Sequence, residues 1–198
     1  MKVYPNENIE SVVLAAGYSS RAPQFKMCLS VGEKTIIERT IESMKTVCEK
    51  IIVVTGYKKN LLENKLVNMP RVVTVYNDDY DAGMFSSVQK GVSKIEGDRF
   101  FLIPGDQPLV KRHTLEQMLK IDADVVSPRC KGKKGHPVLF KNHLKSDILE
   151  MPKNSILRDF IHNIGDLCID VEDMGIHYDV DTEKDYERIK RFFNEEYL

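Results

Sequence analysis

Five short runs dominated by β-branched and other apolar residues, at 9–14, 51–55, 72–76, 100–103 and 124–127, alternate with segments of helical periodicity up to about residue 128. Runs apolar at nearly every position bury both faces, as strands do in a parallel sheet covered by helices on each side. Between the first two, the segment 35–48 places Ile36, Ile37, Thr40, Ile41, Met44 and Val47 on one helical face. It opens with Thr35 three residues before Glu38, the spacing of a capping box. Segments 61–67, 86–94 and 114–120 are the next helical candidates, so the element order predicts a doubly wound α/β domain with helices on both faces of a mostly parallel sheet.

After residue 128 the rhythm changes. A basic, glycine-bearing loop at 129–135 (RCKGKKG) precedes a short strand at 136–140 and helices near 143–150 and 155–163, which read as an elaboration on the sheet edge for a second ligand. From Thr182 onward, Tyr186, Ile189, Phe192 and Phe193 share one helical face, expected to pack back on the sheet. The 198 residues read as one domain.

Charge is nearly balanced, 29 Lys plus Arg against 30 Asp plus Glu, so nothing global draws the chain to nucleic acid or to an acidic membrane, and any affinity for phosphate has to be local. No stretch approaches the roughly 20 apolar residues of a membrane span, and the first residues lack a signal-peptide core, so a soluble, cytoplasmic chain is expected. Cys28, Cys48, Cys130 and Cys168 lie far apart without a CxxC pair, which argues against structural disulfides or zinc.

Such local phosphate chemistry has a candidate at the end of the first run. Residues 14–26, LAAGYSSRAPQFK, combine small residues that let a ligand approach the backbone with donors and charge from Ser19, Ser20, Arg21 and Lys26. The pattern is neither GxxxxGK[ST] nor GxGxxG, which weakens ATP hydrolysis and dinucleotide redox chemistry. An ordinary strand-to-helix turn with solvated cations is the competing interpretation. Four further segments carry candidate groups. Asn77 is followed by Gly83, Met84, Phe85, Ser86 and Ser87 at a helix start, where unpaired N–H groups favour phosphate; a simple cap is the alternative for Ser86. PGDQPLV (104–110) places Asp106 at the carboxyl end of a buried strand, where open α/β sheets bind ligands; a turn-forming Asp is the alternative. GHPVLF (135–140) holds His136, weak by itself. DVDTEKDY (179–186) holds Asp179 and Asp181, with Thr182 or Asp181 as possible caps.

Together these segments resemble the MobA-like nucleotidyltransferases, whose signature LA(A/G)GxSxRxGxxK is matched by Leu14, Ala15, Ala16, Gly17, Ser19, Arg21 and Lys26. Ala22 and Pro23 depart from it where glycine is usual after the Arg. The resemblance implies a Rossmann-like nucleotidyltransferase (GT-A-like) architecture, with a nucleotide-binding half at about 1–128 and an acceptor-binding elaboration plus C-terminal helix at about 129–198. It implies that Leu14, Ala15, Ala16 and Gly17 hold base and sugar, with Ser19, Asn77, Gly83, Ser86 and Ser87 completing the nucleotide site. Arg21, Lys26 and Asp106 are its implied catalytic residues, the first two on the triphosphate. Asp106 would bind the catalytic Mg²⁺, with Asp181 or Asp179 as second ligand. His136 would lie by the acceptor together with Arg158, the one residue of NSILRDF that matches the family's GDxGAR segment.

Ala15-Ala16-Gly17 and the GHP segment point to the cytidylyl branch. There CTP and molybdopterin give the cytosine dinucleotide cofactor and pyrophosphate, and a molybdoenzyme or delivery chaperone is an expected partner, with no nucleic acid or membrane involved. Three alternatives remain: GTP-dependent molybdopterin guanylyl transfer, CTP- or UTP-dependent transfer to a sugar or polyol phosphate, and a non-catalytic nucleotide-binding protein that delivers a cofactor.

Overall fold

The structure is a computed structural model, and it describes residues 7–18 and 25–197. In chain order it runs through β1 (Ile9–Ala15), β2 (Ser30–Val31), β3 (Lys34–Thr35), α1 (Ile36–Lys45), β4 (Lys50–Thr55), α2 (Lys59–Leu66), β5 (Val72–Tyr76), α3 (Met84–Val92) and β6 (Arg99–Pro104). It continues through α4 (Arg112–Leu119), β7 (Val125–Cys130), β8 (Lys133–Lys134), β9 (Val138–Lys141), α5 (Lys145–Glu150), α6 (Leu157–Ile164), β10 (Leu167–Asp170) and α7 (Glu183–Tyr197). The five apolar runs seen in the sequence become β1, β4, β5, β6 and the start of β7.

These strands form a sheet of order β10-β7-β9-β6-β1-β4-β5, with β8 appended to β7. β1 lies centrally and pairs in parallel with β4 and β6, so Val12 faces Ile52 on one side and Leu102 on the other. The strand period of two divides the core. Val13, Ala15, Ile51, Val53, Phe101 and Ile103 meet Ile37, Ile41, Met44, Leu62, Leu115 and Met118 from α1, α2 and α4. Val12, Leu14, Ile52, Val54, Phe100 and Leu102 meet Phe85, Val88, Val92, Ile148 and Phe160 from α3, α5 and α6. α1 begins as its spacing predicts, with the Thr35 N–H donating to Glu38 Oε2 at 2.7 Å.

Two expectations need correction. β9 is no edge elaboration: it is inserted between β6 and β7, antiparallel to both. Its residues are apolar on both sides, so Phe140 stacks on Phe100 at 5.3 Å while Leu139 joins the opposite layer. α7 does not pack on the main sheet, whose faces α1 to α6 already cover. Instead Ile189 and Phe193 close a third cluster with Val31, Ile36, Leu109 and Val180, and the Tyr186 hydroxyl donates to Ser30 O at 2.6 Å. The four cysteines are free thiols, and no helix among the described residues is long and apolar enough to cross a membrane.

Candidate active site

The carboxyl ends of β1 and β6 are tied to one another. Gly105 N–H donates to Leu14 O at 2.8 Å, and Thr40 Oγ1 donates to Gly105 O at 2.9 Å. A Cβ on Gly105 would lie 2.9 Å from Ile37 Cδ1, so the missing side chain lets the loop lie flat on α1. The next residue, Asp106, is thereby set at the sheet's carboxyl edge and is buried.

Lys26 Nζ lies 2.5 Å from Asp106 Oδ2 and 3.1 Å from Asp181 Oδ1. Asp181 is not the cap of α7. Thr182 is, exchanging bonds with Asp185 (Thr182 N to Oδ2, 3.0 Å; Asp185 N to Thr182 Oγ1, 3.2 Å), which leaves the Asp181 carboxylate directed to Lys26. Burial pulls the Lys26 pKa down, but Asp106 and Asp181 outweigh it and hold the ammonium charged. Burial pushes Asp106 up from the usual carboxylate range; Lys26 opposes this, and the charge of Asp179 adds to it.

Asp106 Oδ1 is buried with no hydrogen-bond partner. That orphaned oxygen, beside a second carboxylate, is a hard-oxygen donor set that fits Mg²⁺, which takes one or two carboxylates and keeps its remaining positions for water and substrate phosphate. Among the described residues no group of three or more His, Cys, Asp or Glu is placed to hold a metal ion by itself.

On the expected nucleotide side, Leu14, Ala15 and Ala16 are buried, and the Ala16 carbonyl accepts from Tyr57 N–H at 3.0 Å. Gly17 is exposed, with nothing within 4 Å of where a Cβ would stand. Ser19 and Arg21 lie outside the described residues. Across from this loop, Asn77 Nδ2 donates to Ser86 Oγ at 2.9 Å and to Ser87 Oγ at 3.0 Å, all three residues being buried. Ser86 Oγ also contacts the carbonyls of Asp79 and Gly83, so it is not the helix cap; Gly83, at φ +108°, begins α3 and is open. The polar trio therefore braces the turn that presents Gly83. Tyr18 had not been singled out from the sequence. Its ring lies 5.1 Å from Tyr57 and 5.5 Å from Tyr80, and its hydroxyl bonds Asp81. An aromatic next to the glycine of the loop was the available signal.

His136 is partly buried, with its Nδ1 fully so and unpartnered. Burial lowers its pKa to about 4; Asp179 opposes the shift and Arg158 adds to it. Arg158 is exposed on α6 and close enough for its charge to reach this ring. The charge of Asp179 reaches both Asp106 and His136, so these three residues lie in one neighbourhood. Asp173, a buried carboxylate in the segment leading to Asp179, also went unnoticed; its Asp-x-Gly context was a turn signal of the Asx kind.

Residues 11–167 match the family described as MobA-like NTP transferase domain. Over 188 residues the chain is 28% identical to the molybdenum cofactor cytidylyltransferase of Escherichia coli (strain K12), covering 94% of this chain and 98% of that one. A probable molybdenum cofactor guanylyltransferase of Bacillus mycoides (strain KBAB4) is 27% identical over 142 residues, 69% of this chain and 70% of the relative. Among solved structures, a nucleotidyl transferase from Methanothermobacter thermautotroptrophicus superposes with a TM-score of 0.85 at 26% identity, covering 95% of this chain and 98% of the other.

Proposed function

As the chain belongs to the MobA-like NTP transferase family, we propose that this nucleotidyltransferase joins CMP from CTP to the terminal phosphate of molybdopterin and releases pyrophosphate. The observation that carries the reading is the convergence of Lys26, Asp106 and Asp181 at the carboxyl edge of the sheet. CTP is favoured over GTP by Ala15-Ala16-Gly17, and by similarity that spans 98% of a cytidylyl relative but 70% of a guanylyl one.

An acceptor phosphate oxygen forms the new bond at the α-phosphorus as the bond to the β-phosphate oxygen breaks, and the electron pair leaves with pyrophosphate. The acceptor is already ionised near pH 7, so no side chain need take a proton. His136, with its pKa near 4, is neutral there and serves the acceptor as a hydrogen-bonding group. The task of the chain is to hold two mutually repelling anions in line and to offset the charge that builds on the leaving group. Lys26 and Arg21 meet the triphosphate, the open backbone at Gly17 and Gly83 takes the nucleotide, and Asp106 with Asp181 would hold Mg²⁺. When bound, Mg²⁺ neutralises phosphate charge and orients the transferred group. Asn77, Ser86 and Ser87 support the Gly83 turn from within, and His136 and Arg158 face the acceptor. On this reading residues 1–128 bind nucleotide and 129–198 complete the acceptor side of one domain.

The test is pyrophosphate release with Mg²⁺ and molybdopterin, offering CTP, GTP, ATP and UTP separately and using Asp106→Ala as control. Release with CTP that vanishes in the variant is the expected result. Equal or better release with GTP overturns the choice of base. No release with any nucleotide, while CTP still raises the melting temperature, overturns the choice of acceptor and directs the search to sugar and polyol phosphates.

A further inference from the structure

The segment from Asp173 to Asp181 crosses both loops of the site and is anchored to each. Asp173 is 2% exposed. Its Oδ2 accepts from Lys111 N–H at 2.9 Å and from Thr114 Oγ1 at 2.7 Å, and its Oδ1 accepts from Gly175 N–H at 2.8 Å. Lys111 and Thr114 belong to the start of α4, whose positive end favours a carboxylate there.

Two residues on, Gly175 lies so close to the 106–111 loop that a Cβ would stand 2.0 Å from Leu109 O. Ile176 O accepts from His136 N–H at 3.1 Å, and a Cβ on Gly135 would stand 2.4 Å from the same oxygen. Val180 is fully buried in the third core cluster, which also holds Leu109. The chain then presents Asp181 to Lys26. Leu109, three residues after Asp106, thus meets the segment that carries Asp181 at Gly175 and shares a buried cluster with its Val180.

We propose that Asp173 is a positioning residue for nucleotidyl transfer: by locking residues 173–181 onto the start of α4, it holds the Asp181 and Asp106 carboxylates at the separation a divalent ion requires. The inference rests on the metal-dependent reading proposed above for Lys26, Asp106 and Asp181. Asp173 touches no reacting atom; it acts through the two carboxylates. An amide in its place cannot satisfy the same donors. Both carboxylate oxygens accept N–H groups, so either orientation of Asn turns an NH₂ against a donor and loosens one end of the clamp.

The experiment is Mn²⁺ titration of the full chain by electron paramagnetic resonance in the presence of a non-hydrolysable CTP analogue, for wild type, Asp173→Asn and Thr114→Val. Thr114→Val removes one donor to Asp173 and is the variant to read should Asp173→Asn not fold, as thermal melting will show. A parallel titration in EDTA follows the same analogue without metal. Loss of support behind a metal ligand costs on the order of 10- to 100-fold in metal affinity, and that rise in the Mn²⁺ dissociation constant is expected for Asp173→Asn. A smaller rise is expected for Thr114→Val, with metal-free nucleotide binding unchanged from wild type in both. A merely structural role would move both affinities together with the melting temperature, and that result overturns the proposal. Wild-type Mn²⁺ affinity in a folded variant also overturns it while sparing the metal site. Wild type that takes up no Mn²⁺ with nucleotide removes the metal-dependent reading, and this inference with it.

Discussion

The Lys26 ammonium lies between the carboxylates of Asp106 and Asp181, 2.5 Å from Oδ2 of the first and 3.1 Å from Oδ1 of the second. A cation held there by two carboxylates competes with any divalent ion for the same negative charge. Lys26→Met is therefore expected to bind free Mn²⁺ several-fold more tightly in the absence of nucleotide, by relief of charge competition. It should nevertheless lose about 10²- to 10³-fold in kcat, the scale of one lost transition-state donor. Mn²⁺ titration and steady-state kinetics on the same preparation check both; a change in KM alone would restrict Lys26 to substrate binding.

The His136 ring is expected to make the stability of the protein depend on pH. Its folded-state pKa is lowered to about 4, against roughly 6.5 when unfolded. Between these values the unfolded chain holds a proton that the folded chain does not. Stability is fully present above about pH 6.5 and declines as pH falls toward 4, with a slope of about one proton. His136→Gln should remove that component. Urea melts at several values between pH 7.5 and pH 4.5 measure it, and equal slopes in the two proteins would show that the ring titrates normally.

Asn77 is a prediction of stability and binding together. Asn77→Ala leaves Ser86 Oγ and Ser87 Oγ without their shared donor in a buried place. That should cost about 1–3 kcal/mol, or several degrees in Tm for a chain of this size. Because the trio supports the Gly83 turn, KM for the nucleotide should rise as well. A stability loss with unchanged KM would detach the turn from nucleotide binding.

Two glycines should respond oppositely to the same added methyl. In α3, a Cβ on Gly91 would stand 2.3 Å from Val12 Cγ1 and 2.8 Å from Val54 Cγ2, both in the fully buried sheet. Overpacking of about 1–3 kcal/mol outweighs the roughly 1 kcal/mol gained in helix propensity, so Gly91→Ala should lower Tm. Gly17→Ala meets open space and should change stability by less than about 0.5 kcal/mol, while raising KM for the nucleotide whose path it obstructs. Thermal melts and nucleotide titrations of the two variants separate packing from function.

Period and punctuation alone located β1, β4, β5, β6 and α1, because each of those signals lies within a dozen residues and reports a local requirement: two buried faces, one apolar stripe, one capped end. The motifs around Gly17, Asp106, His136 and Asp181 were legible for the same reason, each being a short stretch of backbone that needs particular residue types. Nothing local placed β9 inside the sheet, turned α7 away from it onto Val31 and Leu109, or marked Asp173 as the clamp between two loops. The Lys26–Asp106 and Lys26–Asp181 contacts span 80 and 155 residues of chain. Partners that distant meet only after loops have closed and layers have packed, and the choice among possible partners is made by the combined burial and hydrogen bonding of the whole arrangement. The sequence by itself determined which segments are strand or helix and which loops carry reactive groups; tertiary packing decided which of those groups stand within reach of one another.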